Sequence, residues 1–113
     1  MSAPEKLTQK RNQLRNLRKA IPDTFGGFIA MEQAASTDGA LSKKQKEFVA
    51  LGIAVATRCE ACINSHVNAL VKLGATREEV AEVLGTAIQM AGGPGLMYAG
   101  SALEAFDELS ASA

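Results

Sequence analysis

Apolar side chains recur at helical spacing along nearly the whole of this 113-residue chain. The first such stripe consists of Leu7, Leu14, Leu17 and Ile21. No segment alternates apolar and polar residues over the length of a strand, so the pattern predicts an all-α fold. A chain of this length supports one domain, and we therefore expect residues 1–113 to form a single helical bundle.

Helix-start and helix-stop signals divide the chain into about six helices. Pro22 ends the first helix, while Ser42 with Gln45 and Thr76 with Glu79 form capping-box patterns that begin the third and fifth. The first expected helix ends at residue 21. The other five cover residues 24–35, 43–57, 59–73, 77–91 and 96–109.

The positions of the large apolar side chains predict which helices are buried. The third helix has Phe48, Ile53 and Val55 on more than one face, which is typical of a buried helix. The last two helices are rich in small residues, and so small a bundle often completes its core with a second subunit, so we expect a homo-oligomer. Five further apolar residues could line an access cavity, but their helical spacing favours the core: Phe25, Phe28, Met90, Met97 and Tyr98.

Charge is unevenly spread although the formal net charge is zero. Residues 1–20 contain six basic residues and one acidic residue, and the remainder is correspondingly acidic. Such a basic helix can contact nucleic acid or a membrane surface. No aromatic residue interleaves these charges, so we expect no nucleic-acid binding. We expect instead that the helix lies across an acidic surface of its own domain or of a neighbouring subunit.

The chain has no sequence feature that directs it to a membrane or to export. No apolar run approaches the ~20 residues needed to span a bilayer, and the first residues lack an apolar signal segment. We therefore expect a cytoplasmic protein with no membrane partner. Two cysteines in such a chain do not indicate a secreted disulfide scaffold, and they need a chemical explanation.

The most informative motif is a Cys-x-x-Cys pair at the predicted start of the fourth helix. Cys59 and Cys62 are three residues apart, so their sulfur atoms lie on one side of the helix and can form a disulfide. Free amides at a helix N-terminus also favour a thiolate. His66, the one histidine of the chain, lies one turn after Cys62 and could hold or relay its proton.

Glu47 is the second unusual residue, because it shares a helix face with Ala50, Leu51 and Ala54. A carboxylate on such a face is either near an edge or buried with a partner. A buried carboxylate accepts a proton more readily, which suits a general base acting on a thiol or an imidazole.

These four residues also fit roles that involve no redox chemistry. The cysteines could be small buried apolar residues, and Glu47 could be an exposed glutamate. Zinc is a further alternative, with Cys59, Cys62 and His66 as ligands and Glu47 or water as the fourth. The chain has no second Cys or His pair, however, and we expect neither a metal nor an organic cofactor. The last alternative is a structural module whose basic N-terminal helix binds a partner.

The spacing Glu-x11-Cys-x-x-Cys-x3-His resembles the alkylhydroperoxidase D branch of the carboxymuconolactone decarboxylase family. The segment from Leu73 to Val83 also fits, and the resemblance covers about residues 40–105. It implies an all-helical fold, assembly into trimers or hexamers, and thiol-dependent reduction of hydroperoxides. It also implies a dithiol or lipoyl-bearing protein as the electron donor.

Carried over by position, the resemblance makes Cys62 the peroxidatic thiol, Cys59 the resolving thiol, and Glu47 and His66 a proton relay. Some members have a second histidine where this chain has Ala61, which implies a shorter relay and an activity that is either weak towards peroxide or directed to another disulfide or electrophile. The helix dipole alone would make Cys59 the more acidic thiol, so the order of the two sulfurs stays open. The decarboxylase branch, acting on a small organic acid, is the alternative.

Overall fold

The computed structural model describes all of residues 1–113 and contains six α-helices and no strand, so the all-α prediction is confirmed. The helices are α1 (Ala3–Ala20), α2 (Pro22–Ser36), α3 (Lys43–Ala56), α4 (Glu60–Lys72), α5 (Arg77–Ala91) and α6 (Gly93–Ala111). None of them is long and apolar enough to cross a membrane.

Capping boxes begin three of the helices. Ser42 and Thr76 form the capping boxes predicted for α3 and α5, and Ser2 forms a third with Glu5 at α1. Two helices begin earlier than expected. α2 starts at Pro22 and α6 takes in Gly93–Gly95, because proline is tolerated in the first turn, where its missing N–H would have no partner.

The core lies between α3, α4, α5 and α6. Its fully buried side chains include Leu51, Leu70 and Val80, one from each of the first three of these helices. α5 and α6 approach each other closely at Gly95, where an added Cβ would lie 2.8 Å from the Cβ of Ala91. The buried small residues of these two helices therefore serve packing within one chain, while others, including Gly85 and Gly100, are exposed.

The first two helices are attached mainly through the start of α1. Ala3 and Leu7 are buried, the Ala3 amide donates to Glu108, and Lys6 pairs with Glu60 of α4 at 3.0 Å. The expected apolar stripe is buried only there, because Leu14, Leu17 and Ile21 are exposed. α2 has no buried residue at all. The basic helix thus lies on an acidic side chain of its own domain only at Lys6.

Several apolar residues expected in the core are exposed. α3 is buried on one side only, since 58% of the surface of Ile53 and 55% of that of Val49 are accessible. Phe28, Met90 and Met97 are also exposed. Helical spacing identifies which residues share a face, but whether that face is covered depends on which element lies opposite. Opposite this side of α3 lies only the thinly attached α2.

Candidate active site

A tight link joins α3 to α4 and makes the two helices antiparallel neighbours. The amides of Thr57, Arg58 and Cys59 donate to carbonyl oxygens of the last turn of α3. Arg58 has φ of +58°, which is the left-handed conformation that often ends a helix, here without a glycine. The chain therefore reverses within three residues, and side chains far apart in sequence can meet across the α3–α4 interface.

The two cysteines lie at the beginning of α4 and form a disulfide. Cys59 is the N-cap residue, and its sulfur accepts a hydrogen bond from the amide of Cys62 at 3.3 Å. The sulfur therefore takes the place that a serine or aspartate oxygen usually holds at a helix start. Cys59 is half-buried and Cys62 is exposed, so the pair can be reached from solvent.

Glu47 and His66 meet across the α3–α4 interface. Oε2 of Glu47 lies 2.6 Å from Nδ1 of His66, a short bond, and Glu47 is only 8% exposed. The structure thus gives the buried carboxylate a partner, one of the two situations expected from the sequence. If Nδ1 of the neutral ring donates to Glu47, the lone pair of the imidazole is on Nε2. The contact holds the orientation of the ring and favours the tautomer with its proton on Nδ1.

A cavity of about 880 Å³ lies next to this pair, between α2, α3 and α4. Phe28 and Met31 of α2 face Val49 and Ile53 of α3 across it, and the Glu47–His66 pair lies at its border. Neither cysteine lines the cavity. Of the residues proposed for an access cavity, only Phe28 is found there. His66 thus stands between an apolar cavity and the turn of α4 that bears the dithiol.

Charged groups also lie beside the dithiol. Glu60, the residue after Cys59, pairs with Lys6, and this contact raises the pKa of the lysine. The ion pair joins the first turn of α1 to the first turn of α4, next to the cysteines.

All four residues singled out by the sequence belong to the α3–α4 pair. Glu47 is in contact with His66, and Cys59 is bonded to Cys62. At the position where a second histidine was considered, the half-buried Ala61 provides no polar side-chain atom. No three His, Cys, Asp or Glu side chains are arranged to hold a metal ion.

Sequence reasoning did not identify Met31, Val49 or Ser65 as neighbours of the site. Their place in the cavity depends on the position of α2 relative to α3. No periodicity within a single helix gives that position, so these residues carried no signal that could have found them.

Comparisons with known proteins agree with this architecture. The model of the carboxymuconolactone decarboxylase family matches residues 22–105. A protein of that family from Legionella pneumophila is 50% identical, with a TM-score of 0.93 over 96% of both chains. A protein from Thermotoga maritima, TM1620, is 26% identical, with a TM-score of 0.84 over 96% of both chains.

Curated relatives share most of the length as well. An uncharacterised protein from Cupriavidus necator is 41% identical over 106 residues, which are 94% of each chain. An uncharacterised protein encoded in the cox locus of Paracoccus denitrificans is 35% identical over 82 residues, or 73% of this chain and 74% of that protein. The similarity therefore extends beyond the dithiol motif to nearly the whole fold.

Proposed function

The chain belongs to the carboxymuconolactone decarboxylase family, and we propose that it is a thiol-dependent peroxidase or disulfide oxidoreductase of the alkylhydroperoxidase D type. The proposal rests on one observation, which is that a dithiol and a histidine–carboxylate pair lie close together at the start of α4. A solvent-accessible Cys59–Cys62 pair stands one helical turn from His66, which is held by the buried Glu47.

The first step is removal of the proton from Cys62. His66 follows Cys62 by four residues, so the two side chains lie on one face of α4. Nε2 of His66 accepts the thiol proton, directly or through a water, while Glu47 stabilises the imidazolium that forms. Glu47 thus assists deprotonation of the thiol through the histidine, and His66 is the group that takes the proton.

The thiolate of Cys62 then attacks a hydroperoxide. The O–O bond breaks, the sulfur becomes a sulfenic acid, and the leaving alkoxide takes a proton from His66 to give an alcohol. The thiol of Cys59 attacks the sulfenic acid, the disulfide forms and water leaves. Two electrons have then passed from the two thiols to the peroxide.

The disulfide must be reduced before the next turnover. An external dithiol attacks one sulfur, forms a mixed disulfide and completes the exchange with its second thiol. A dithiol or lipoyl-type protein is the donor that we propose. We also propose a homo-oligomer, a trimer or hexamer, in which a second copy covers the apolar side chains left exposed on α2 and α3.

One observation favours a second candidate, a decarboxylase-like reaction on a small organic acid. Glu47 and His66 border the cavity, whereas the cysteines do not. An acid bound in the cavity could therefore exchange a proton with His66 without using the thiols. A variant with both cysteines replaced by serine would keep such an activity and lose all peroxidase activity.

Single cysteine variants test the peroxidase proposal. Treatment of the Cys59→Ser variant with an organic hydroperoxide should let a sulfenic acid accumulate on Cys62, where a dimedone-type reagent traps it. Cys62→Ser should yield no trapped product. If Cys59→Ser alone blocks the first oxidation, the order of the sulfurs is reversed. If the reduced wild-type protein does not react, the peroxidase proposal fails.

A further inference from the structure

The second half of α1 carries a basic surface that the rest of the chain does not neutralise. Residues 10–19, called here the basic segment, contain no acidic residue and are exposed along their whole length. Its cations are Lys10, Arg11, Arg15, Arg18 and Lys19. None of them pairs with a carboxylate, whereas Lys6, one turn earlier, does.

This basic segment begins close to the dithiol. Lys6 contacts Glu60, the residue after Cys59, at 3.0 Å. Lys10 follows Lys6 by one turn, a rise of about 6 Å along the helix axis. A macromolecule that reaches the exposed Cys62 from solvent therefore meets the end of α1 where Lys10 and Arg11 lie within about 8 Å of Lys6 along the axis, about one Debye length at physiological salt.

We propose that the basic segment of α1 is a docking surface for an acidic protein that carries the dithiol reductant to the Cys59–Cys62 disulfide. The inference rests on the proposed function and specifies the partner of the same site. A small hydroperoxide needs no docking surface, but a protein donor must bring two thiols to one sulfur. Complementary charge raises the rate of such encounters more than it raises affinity.

The position of the apolar surface favours a separate acidic protein over a second copy of this chain as the occupant of the basic segment. An uncovered apolar surface, which suits a contact between copies, lies on α2 and α3, away from the basic segment. The exposed Leu14 and Leu17 add an apolar contact within the basic segment, which a protein partner can also use.

The exchange itself is balanced. A thiolate of the partner attacks one sulfur of the Cys59–Cys62 disulfide and releases the other as a thiolate. The second thiol of the partner attacks the mixed disulfide, and both cysteines of this chain end reduced while the partner ends as a disulfide. Two electrons and two protons move from the partner to this chain.

Matched dithiol peptides test the proposal. Each has a Cys-Gly-Pro-Cys core flanked by glutamates, by serines or by lysines, and each is mixed with full-length protein whose disulfide has been formed with diamide. At low ionic strength we expect the glutamate peptide to reduce the disulfide about tenfold faster than the serine peptide, and the lysine peptide to be the slowest. High salt should remove these differences.

Charge-reversal variants assign the effect to α1. Lys10→Glu and Arg11→Glu should each remove most of the advantage of the glutamate peptide. Lys72→Glu changes the charge equally on an exposed residue at the far end of α4, and it should leave the order of rates unchanged. Equal rates for the three peptides, or an order that the α1 variants do not alter, would overturn the proposal.

The same assay separates the docking proposal from the proposed function. Because diamide forms the disulfide, the charge preference can be measured even if hydroperoxides do not oxidise the protein. Dithiothreitol is small and has no flanking charged groups, so it should reduce the wild type and all variants at nearly one rate. If subunits dissociate in Lys10→Glu and the peptides react equally, a second copy covers α1 and the proposal is wrong.

Discussion

The bundle α3–α6 and the pair α1–α2 are built from similar helices but are held in different ways. α3–α6 bury Leu51, Leu70 and Val80 completely, whereas α2 buries nothing and α1 buries only its first turns. Both regions have good helix signals and apolar residues. The difference shows that helix formation and helix burial are decided separately, the first by local sequence and the second by the available partners.

The same division separates chemistry from recognition. Every residue of the candidate site lies at α3 or α4, within the bundle α3–α6, whose core is formed by the side chains of a single chain. The part that is left uncovered contains two features: the apolar cavity wall that α2 contributes, and the basic segment of α1. A rigid core suits a relay that requires fixed geometry, and an exposed surface suits binding.

The largest expected effect is on stability within the core. Leu70→Ala removes a fully buried side chain and should lower the free energy of unfolding by about 2–5 kcal/mol. Ile53→Ala removes the same number of carbon atoms from an exposed site, and in the monomer it should cost below about 0.5 kcal/mol. Urea unfolding at low protein concentration measures both, and equal losses would contradict the distinction between the two regions.

Assembly should depend on α2. Replacing both Phe28 and Met31 with serine removes two exposed apolar side chains, each worth about 1.5–3 kcal/mol when fully buried by a partner. We expect subunit affinity to fall by at least about tenfold, measured by light scattering across a dilution series. Met90→Ser, at an exposed position of α5, is the matched control and should have little effect. A wild type that stays monomeric at every concentration would refute the proposed assembly.

Replacement of Glu47 should slow the proton relay and leave the fold intact. Glu47→Gln keeps a polar group beside His66 and removes the charge that stabilises the imidazolium, so oxidation of the thiols by hydroperoxide near neutral pH should slow by about a hundredfold. The loss of thiols, followed by stopped flow, gives the rate. Glu82→Gln, on the exposed face of α5, should react like the wild type. An unchanged rate in Glu47→Gln would leave this residue with a packing role alone.

The smallest effect concerns an ion pair on the surface of the core helices. The Arg77 guanidinium lowers the pKa of Asp107 below its ordinary value of 3.8. A lowered pKa stabilises the fold above the unfolded-state value, and this contribution is lost as pH falls through the folded-state value. The difference in unfolding midpoint between wild type and Asp107→Asn should therefore be constant near neutral pH, should start to shrink as pH falls to about 3.8 and should disappear only below the lowered folded-state pKa. A difference that does not shrink as pH falls through this range would contradict this assignment.

Much of the fold could be predicted from local signals. The capping boxes at Ser42 and Thr76 and the helical spacing of apolar residues were sufficient for the number and order of the helices. The exposure of Ile53 and Met97 was not predictable, because burial depends on what packs opposite them. The early start of α6 was missed because Pro94 breaks a helix interior but fits a first turn.

The candidate site, too, could be predicted from the sequence only in part. Cys59, Cys62 and His66 belong to one helix, so their spacing alone predicts that they share a face. The contact of Glu47 with His66 depends on the tight reversal at Arg58, whose left-handed backbone no sequence pattern announced. The cavity depends on α2, and its walls could not be derived from either helix alone.

The proposed function depends above all on Cys59 and Cys62 forming a redox-active pair. The most direct test is the intact mass of the fully reduced protein before and after one equivalent of an organic hydroperoxide. We expect the loss of two hydrogen atoms, reversed by a dithiol, with tryptic peptides placing the new bond between the two cysteines. An unchanged mass with both thiols free would contradict the redox activity of the pair.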